Sequence, residues 1–194
     1  AIWNGRVLLL HRQVVNEGVF RGQFLETDFA SFVAWRHWGC PRAGARDCFG
    51  AAAILSADGA FMLGVMGAHT ANAGHIYFPC GTPDRSDLVD GTVDFDVSVR
   101  RELKEETGLG VEAFTLESGW TTVIDGAKIA QIKVMHSTDD AETLRARMLA
   151  HLASEAQPEL SDIRIVRGPA DIDPAMPGFI VAFLAYRFTD AAPA

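Results

Sequence analysis

Three glutamates lie close together in the middle of the chain, at Glu102, Glu105 and Glu106. In a helix these positions, i, i+3 and i+4, share one face. Carboxylates stacked in this way repel one another by roughly a few tenths of a kcal/mol per pair, and a hard cation such as Mg²⁺ or Mn²⁺ relieves that repulsion while keeping positions open for water and phosphate. The spacing therefore indicates metal-assisted phosphate chemistry. The plainer alternative is a solvated helix face in which Arg101 pairs with Glu105.

The helix that must carry these glutamates is predicted over Phe95–Thr107, where Gly108 ends it at the C′ position. Further helices are predicted at Phe29–Trp38, Ala141–Ala153 and Pro177–Tyr186. Strands are predicted at Arg6–Leu10, Gly22–Leu25, Phe49–Leu55, Ala60–Met66, His75–Phe78, Glu112–Leu116, Thr121–Ile124, Ile129–Met135 and Ile163–Val166. Strands and helices that interleave irregularly predict a mixed sheet with helices on both faces.

The segment Arg101–Leu109, with the sequence RELKEETGL, resembles the second half of the Nudix hydrolase box. That box is written as Gly, five residues, Glu, seven residues, and then R-E-U-x-E-E-x-G-U, where U is aliphatic. Every defined position of the second half is matched. Upstream, the run Phe78–Gly81 is similar to the F-P-G-G turn of the family, with Cys80 at the first glycine. The resemblance covers about residues 49–135.

The first half of the box departs from the family pattern. Counting back from Arg101, the box glutamate falls on Val93 and the box glycine on Asp87. If Gly81 is the box glycine, twenty steps separate it from Arg101 where the pattern has fourteen, so the loop carries six extra residues.

We expect the insertion at Thr82–Gly91, where it would shape the mouth of the substrate site. The missing box glutamate is normally the electrostatic partner of the box arginine, here Arg101. Asp94 or Asp90 is the expected replacement.

The resemblance also implies roles for particular residues. Glu102, Glu105 and Glu106 would bind the metal, with the turn carbonyl near Cys80 as an added ligand, and Arg101 would orient the first carboxylate. Mg²⁺ or Mn²⁺ would be required for attack by water on a phosphorus atom. In some members of the family the general base is a carboxylate on a later loop, for which the candidates by position are Asp139, Asp140 and Glu142.

The fold implied by the resemblance is α/β, an α/β/α sandwich around a mixed sheet. The Nudix domain would span residues 48–194, and residues 1–47 would form an N-terminal extension of short strands and one helix. A homodimer in which the extension packs between protomers is a hypothesis at this point.

Composition narrows the class of partner. The formal net charge is −8, and the 17 basic residues are scattered rather than gathered into a stripe, which argues against binding to a polynucleotide. No apolar run is long enough for a signal or membrane segment, and three cysteines do not form a disulfide framework, so we expect a cytoplasmic protein. The expected partner is a small nucleotide or diphosphate substrate.

The expected function is hydrolysis of a diphosphate linkage in a nucleoside diphosphate joined to another moiety, such as a nucleotide sugar or a dinucleotide. One alternative is a catalytically silent module of the same fold that binds a nucleotide, although such a module has no need of three mutually repelling glutamates. A second is an isoprenoid diphosphate isomerase, which would use Cys80 and a glutamate for protonation. The loop His69–Gly74 is interpreted as structural, with substrate contact as its alternative.

Overall fold

The computed structural model describes residues 4–41 and 44–190. Parts of the predicted N-terminal extension (residues 1–47) and of the predicted Nudix domain (residues 48–194) therefore lie outside the described residues. The chain opens with a long antiparallel hairpin, β1 (Arg6–Asn16) and β2 (Val19–Asp28), which forms a two-stranded sheet of its own. Both strands extend beyond their predicted bounds because their distal halves are largely exposed, with no alternation of buried and exposed residues to mark them. Helix α1 (Phe29–His37) follows, and Asp28 caps it by accepting a hydrogen bond from the Ser31 amide.

The remaining elements are the strands of one larger sheet, a short two-stranded hairpin and the other α-helices. In chain order they are β3 (Asp47–Leu55), β4 (Phe61–Met66), β5 (Ile76–Tyr77), β6 (Cys80–Gly81), β7 (Leu88–Val89), β8 (Thr92–Val93), α2 (Phe95–Thr107), β9 (Phe114–Leu116), β10 (Thr121–Asp125), β11 (Lys128–Ser137), α3 (Ala141–Ser154), β12 (Leu160–Val166) and α4 (Gly178–Asp190). Helix α2 has the predicted bounds. The predicted strand at Glu112–Leu116 begins later, at Phe114, because a short 3-10 turn occupies Val111–Ala113.

The larger sheet is mixed and divides near its middle. Its main order is β10–β11–β3–β4–β12, in which β3 and β11 are parallel and the other neighbours are antiparallel. Strands β3 and β4 pair only beside their connecting turn, at Ile54 with Met62 and Leu55 with Phe61. Beyond that point β3 pairs with β6 and β4 pairs with β5. We call the region between the β3 and β4 branches, which is bordered by β5 and β6, the cleft.

Helices cover both faces of the sheet. Adjacent residues of a strand point to opposite faces, and β3 shows where each helix lies. Gly50 faces α2 so closely that an added Cβ would lie 2.6 Å from Val99 Cγ2. Phe49 faces α4 and meets Phe179 edge to face, with ring centroids 5.3 Å apart. Helix α3 packs beside α2, where His151 contacts Gly108. The predicted α/β/α sandwich around a mixed sheet is therefore confirmed.

The N-terminal hairpin and α1 enclose a small apolar cluster of their own, in which Val7, Leu9, Phe32 and Trp35 are buried. Backbone hydrogen bonds join the hairpin to the larger unit, from Leu8 to the Pro83 carbonyl and between Leu10 and Arg46. Within the described ranges, no helix is both long and apolar enough to cross a membrane.

Candidate active site

Helix α2 is held at both ends, which places its glutamates against the sheet. Asp94 caps the first turn by accepting hydrogen bonds from the amides of Asp96 and Val97. The last turn ends at Gly108, whose φ of 72° is the left-handed conformation that favours glycine. Lys104 donates to the Gly108 carbonyl, which sets a cation at the negative end of the helix dipole.

Glu102 lies directly against the turn that resembles the start of the box. A Cβ added to Gly81 would be 2.0 Å from Glu102 Oε1, so only glycine leaves room for this carboxylate. The Glu102 side chain is 12% exposed. Burial raises the pKa of Glu102 to about 7, against the opposing effect of the nearby Arg101 charge.

Glu106 is the most deeply placed of the three glutamates. Its carboxylate accepts a hydrogen bond from the Cys80 backbone amide, whereas Oε2 is buried and has no hydrogen-bond partner within the described residues. Burial raises the pKa of Glu106 well above its ordinary value, and the charges of Glu102, Glu159 and Glu105 raise it further. A buried carboxylate oxygen without a partner is costly unless a proton or a cation reaches it.

Arg101 connects the carboxylates of the site. Its Nη1 lies 2.8 Å from Glu102 Oε1 and 3.1 Å from Glu105 Oε2. Its Nη2 lies 3.1 Å from Oδ2 of Asp87, a side chain with no exposed surface. Glu105 itself is 60% exposed. The Arg101 guanidinium therefore lies between the carboxylates of Glu102 and Glu105, the latter at the exposed edge of the site.

The partner of Arg101 is Asp87, so the expectation of Asp90 or Asp94 was wrong. Asp90 occupies the turn of the β7–β8 hairpin with a φ of 50°, and Asp94 is already used as the helix cap. The Asp87 carboxylate additionally accepts a hydrogen bond from the Asp84 amide. These contacts compensate the buried negative charge of Asp87.

The position of Asp87 also relocates the insertion. Counted forward from Gly81, five residues intervene before Asp87, which is the box spacing with aspartate in place of glutamate. The six extra residues then fall between Asp87 and Arg101, where the structure has the β7–β8 hairpin at residues 88–93, so the expected insertion at Thr82–Gly91 began too early. A forward count from the glycine would have found Asp87, whereas a count back from Arg101 crosses the hairpin and misaligns the first half of the box.

Two of the three candidates for a later-loop carboxylate are engaged elsewhere, and the third is exposed. Asp139 forms an ion pair with Arg147, Asp140 caps α3 by accepting a hydrogen bond from the Thr143 amide, and Glu142 is 75% exposed. In contrast, the charge of Glu159 acts on both Glu102 and Glu106.

Glu159 was missed by sequence reasoning. It is exposed and immediately precedes β12, and its carbonyl accepts a hydrogen bond from the Gly67 amide at the end of β4. No spacing in the sequence links Glu159 to the box. The pairing of β12 with β4, two strands far apart in the sequence, brings it near the glutamates.

A divalent cation fits the donor set of this site. Within residues 4–41 and 44–190, no three His, Cys, Asp or Glu side chains already converge on one point, and Arg101 bridges two of the glutamates instead. The partnerless Oε2 of Glu106, beside a second buried carboxylate on Glu102, nevertheless provides the hard oxygen donors that Mg²⁺ and Mn²⁺ prefer.

Comparison with solved structures assigns the fold. The chain has the fold of Nudix hydrolases, which confirms at the level of fold the resemblance carried by the box. RenU, a Nudix hydrolase from M. smegmatis, superposes with a TM-score of 0.50 and 15% identity, over 77% of this chain and 89% of RenU. The DR0079 protein from Deinococcus radiodurans superposes with a TM-score of 0.54 and 13% identity, over 93% of this chain and 98% of that protein.

A third similar structure is a bifunctional NMN adenylyltransferase/ADP ribose pyrophosphatase from Francisella tularensis. Its TM-score is 0.51 at 15% identity, over 84% of this chain and 47% of the bifunctional protein. The same protein has also been solved in complex with AMP and a manganese ion. No family model and no curated protein matches this chain.

Proposed function

We propose that this protein is a divalent-metal-dependent hydrolase of the Nudix superfamily that cleaves a diphosphate linkage in a nucleoside diphosphate joined to another moiety. The observation that carries the proposal is the buried Oε2 of Glu106, which has no partner in the described residues although Glu102 lies beside it on the same helix face. Three glutamates in this arrangement destabilise the protein unless a cation binds them.

The metal site would consist of Glu102, Glu105 and Glu106, with the backbone carbonyl near Cys80 as a further donor. A bound Mg²⁺ or Mn²⁺ lowers the pKa of a water ligand and offsets the charge of the diphosphate. Arg101 holds the carboxylates of Glu102 and Glu105 in a fixed relation, which keeps the donor set preorganised.

Proton transfer from the attacking water requires a carboxylate at the mouth of the site. We assign this role to Glu159, because it is exposed and its charge reaches both buried glutamates. Asp139 and Asp140 are held by an ion pair and a helix cap, so they are less available.

The proposal is tested by the substitution Glu106→Gln, which keeps the shape of the side chain and removes its charge. Purified wild type and variant are screened with Mg²⁺ against nucleotide sugars, dinucleotides, nucleoside triphosphates and isoprenoid diphosphates. We expect a metal-dependent product that the variant does not form. Because glutamine resembles the protonated carboxyl group that burial favours in the metal-free protein, the metal-free variant should be about as stable as wild type, so lost turnover would not reflect unfolding.

Two further measurements complete the test. Mg²⁺ should raise the melting temperature of wild type and leave that of the Glu106→Gln variant nearly unchanged. Glu17→Gln, an equal change of charge in the β1–β2 turn, serves as the control and should behave like wild type. Nucleotide binding without any released product, unchanged in the Glu106→Gln variant, would instead support the silent binding module.

A further inference from the structure

Arg36 reaches from the N-terminal extension toward the cleft between the two branches of the sheet. It lies in the last turn of α1, and its guanidinium carbon is 5.5 Å from the centroid of the Phe32 ring. Its Nη2 donates a hydrogen bond of 2.6 Å to Oδ1 of Asn72, in the loop between β4 and β5. The extension is thus joined by a side-chain contact to the loop that leads into the active-site turn.

The contact continues to the neighbourhood of Glu106. Asn72 Nδ2 donates to the Tyr77 hydroxyl over 2.9 Å, and Tyr77 is 6% exposed on β5. Burial raises the pKa of that hydroxyl, Cys80 and Glu106 raise the pKa further, and the nearby charge of Arg36 lowers it. A hydrogen-bonded series therefore runs from Arg36 through Asn72 to Tyr77, and ends beside the glutamate site.

Arg36 differs from Arg101 in the use of its donors. Arg101 is engaged by Asp87, Glu102 and Glu105. Arg36 forms no salt bridge with any carboxylate in the described part of the chain, and its one side-chain hydrogen bond is to the neutral amide of Asn72. A guanidinium has five N–H donors, so most of those on Arg36 remain for a ligand.

The charges around this cleft favour an anion at Arg36. The positive charges of Arg36 and Lys128 both act on Asp47, a buried carboxylate whose Oδ1 accepts a hydrogen bond from the Thr82 hydroxyl. The charge of Lys128 also acts on Cys80. Arg36 and Lys128 therefore bring positive charge near the buried Asp47 and near Cys80, and α2 carries the glutamates; a metal-bound diphosphate needs charges of both signs.

We propose that Arg36 binds phosphate oxygens of the substrate diphosphate, and that Asn72 and Tyr77 are positioning residues that hold its guanidinium at the cleft. This inference rests on the proposed hydrolase function and assigns the N-terminal extension a part in the substrate site. The planar fork of an arginine suits bidentate contact with phosphate, which a lysine does not reproduce.

The test uses the full-length protein and four variants: Arg36→Gln, Arg36→Lys, Asn72→Ala and Arg12→Gln. Arg12 is an exposed arginine on β1, so Arg12→Gln is the matched control for charge. Calorimetry with inorganic pyrophosphate and Mg²⁺ gives the dissociation constant of each protein, and steady-state kinetics with a substrate from the panel gives KM and kcat.

For Arg36→Gln we expect the dissociation constant of pyrophosphate and the KM to rise by roughly tenfold to a hundredfold, with kcat nearly unchanged. Arg36→Lys should lie between, and Arg12→Gln should match wild type. Asn72→Ala breaks the same hydrogen bond but keeps the cation, so a smaller rise in KM is expected. Melting temperatures separate these effects from a loss of fold.

Wild-type affinity for pyrophosphate in the Arg36→Gln variant would overturn the inference. A fall in kcat without a change in KM would do the same, because it would indicate disturbed packing around α1. If wild type binds pyrophosphate, Arg36→Gln does not, and no substrate is cleaved, the assignment of Arg36 holds and the hydrolase function fails.

Discussion

Without metal, the protein should lose stability as the pH rises from 5 to 8, the reverse of the usual effect of ionising carboxylates. The reason is that burial raises the pKa of Glu102 to about 7 from its ordinary 4.5. The folded state therefore holds a proton that the unfolded state has released. Stability falls with pH wherever the folded state binds more protons.

The magnitude follows from that pKa difference. At roughly 1.4 kcal/mol for each pKa unit, it corresponds to about 3 kcal/mol of unfolding free energy. The side chain is only 12% exposed, so solvent screening removes little of it. For a protein of 194 residues, 1 kcal/mol shifts the melting temperature by about 2–4 °C, which gives a fall of about 6–12 °C across the window.

Other carboxylates do not mask this effect. Glu26, Asp58 and Glu117 have lowered pKa values because of hydrogen bonds with their partners, so they are ionised in both states above pH 5. Asp47 and Glu106 have raised pKa values because they are buried, so they add to the slope with the same sign.

The assay is urea denaturation of EDTA-treated protein at pH 5, 6, 7 and 8, with wild type beside Glu102→Gln. The variant cannot ionise at this position, so its slope should be shallower by about 3 kcal/mol over the window. Added Mg²⁺ should stabilise wild type more at pH 8 than at pH 5, because the ion binds the ionised form. Equal slopes in the two proteins, or wild-type stability that rises with pH, would refute the reasoning.

Three further predictions concern residues around the same site. Asp87→Asn should lower the free energy of unfolding by about 2 kcal/mol in urea denaturation, because it breaks a buried ion pair with Arg101; an unchanged midpoint would contradict this. Gly81→Ala should abolish turnover while circular dichroism shows an intact fold, since the new Cβ displaces Glu102. The control Gly168→Ala should remain active, because a Cβ at that position has no neighbouring atom within 4 Å. Glu159→Gln should lower kcat by roughly a hundredfold or more with KM nearly unchanged; wild-type turnover in this variant would assign the base elsewhere.

Local features of this protein could be predicted from the sequence. Helix α2 has the predicted bounds because its stop signal, Gly108, and the period of its apolar residues act within a few turns. The common face of Glu102 and Glu106 follows from the same period. The mixed sheet with helices on both faces likewise follows from general packing rules.

The residues that contact the glutamates could be identified only from the tertiary structure. Asp87 is 14 residues from Arg101, and the β7–β8 hairpin lies between them, so a count back from Arg101 does not find the pair. Arg36 and Asn72 are 36 residues apart and lie on different elements. Glu159 reaches the site only because β12 pairs with β4.

The physical reason is that contacts between distant segments depend on how strands register and how loops close. A helix repeats every 3.6 residues and a strand every two, so residues within one element have predictable neighbours. No such period relates residues on different elements. The chemistry of the site could therefore be predicted from nine consecutive residues, Arg101–Leu109. The side chains from other elements that contact these residues could be identified only in the folded chain.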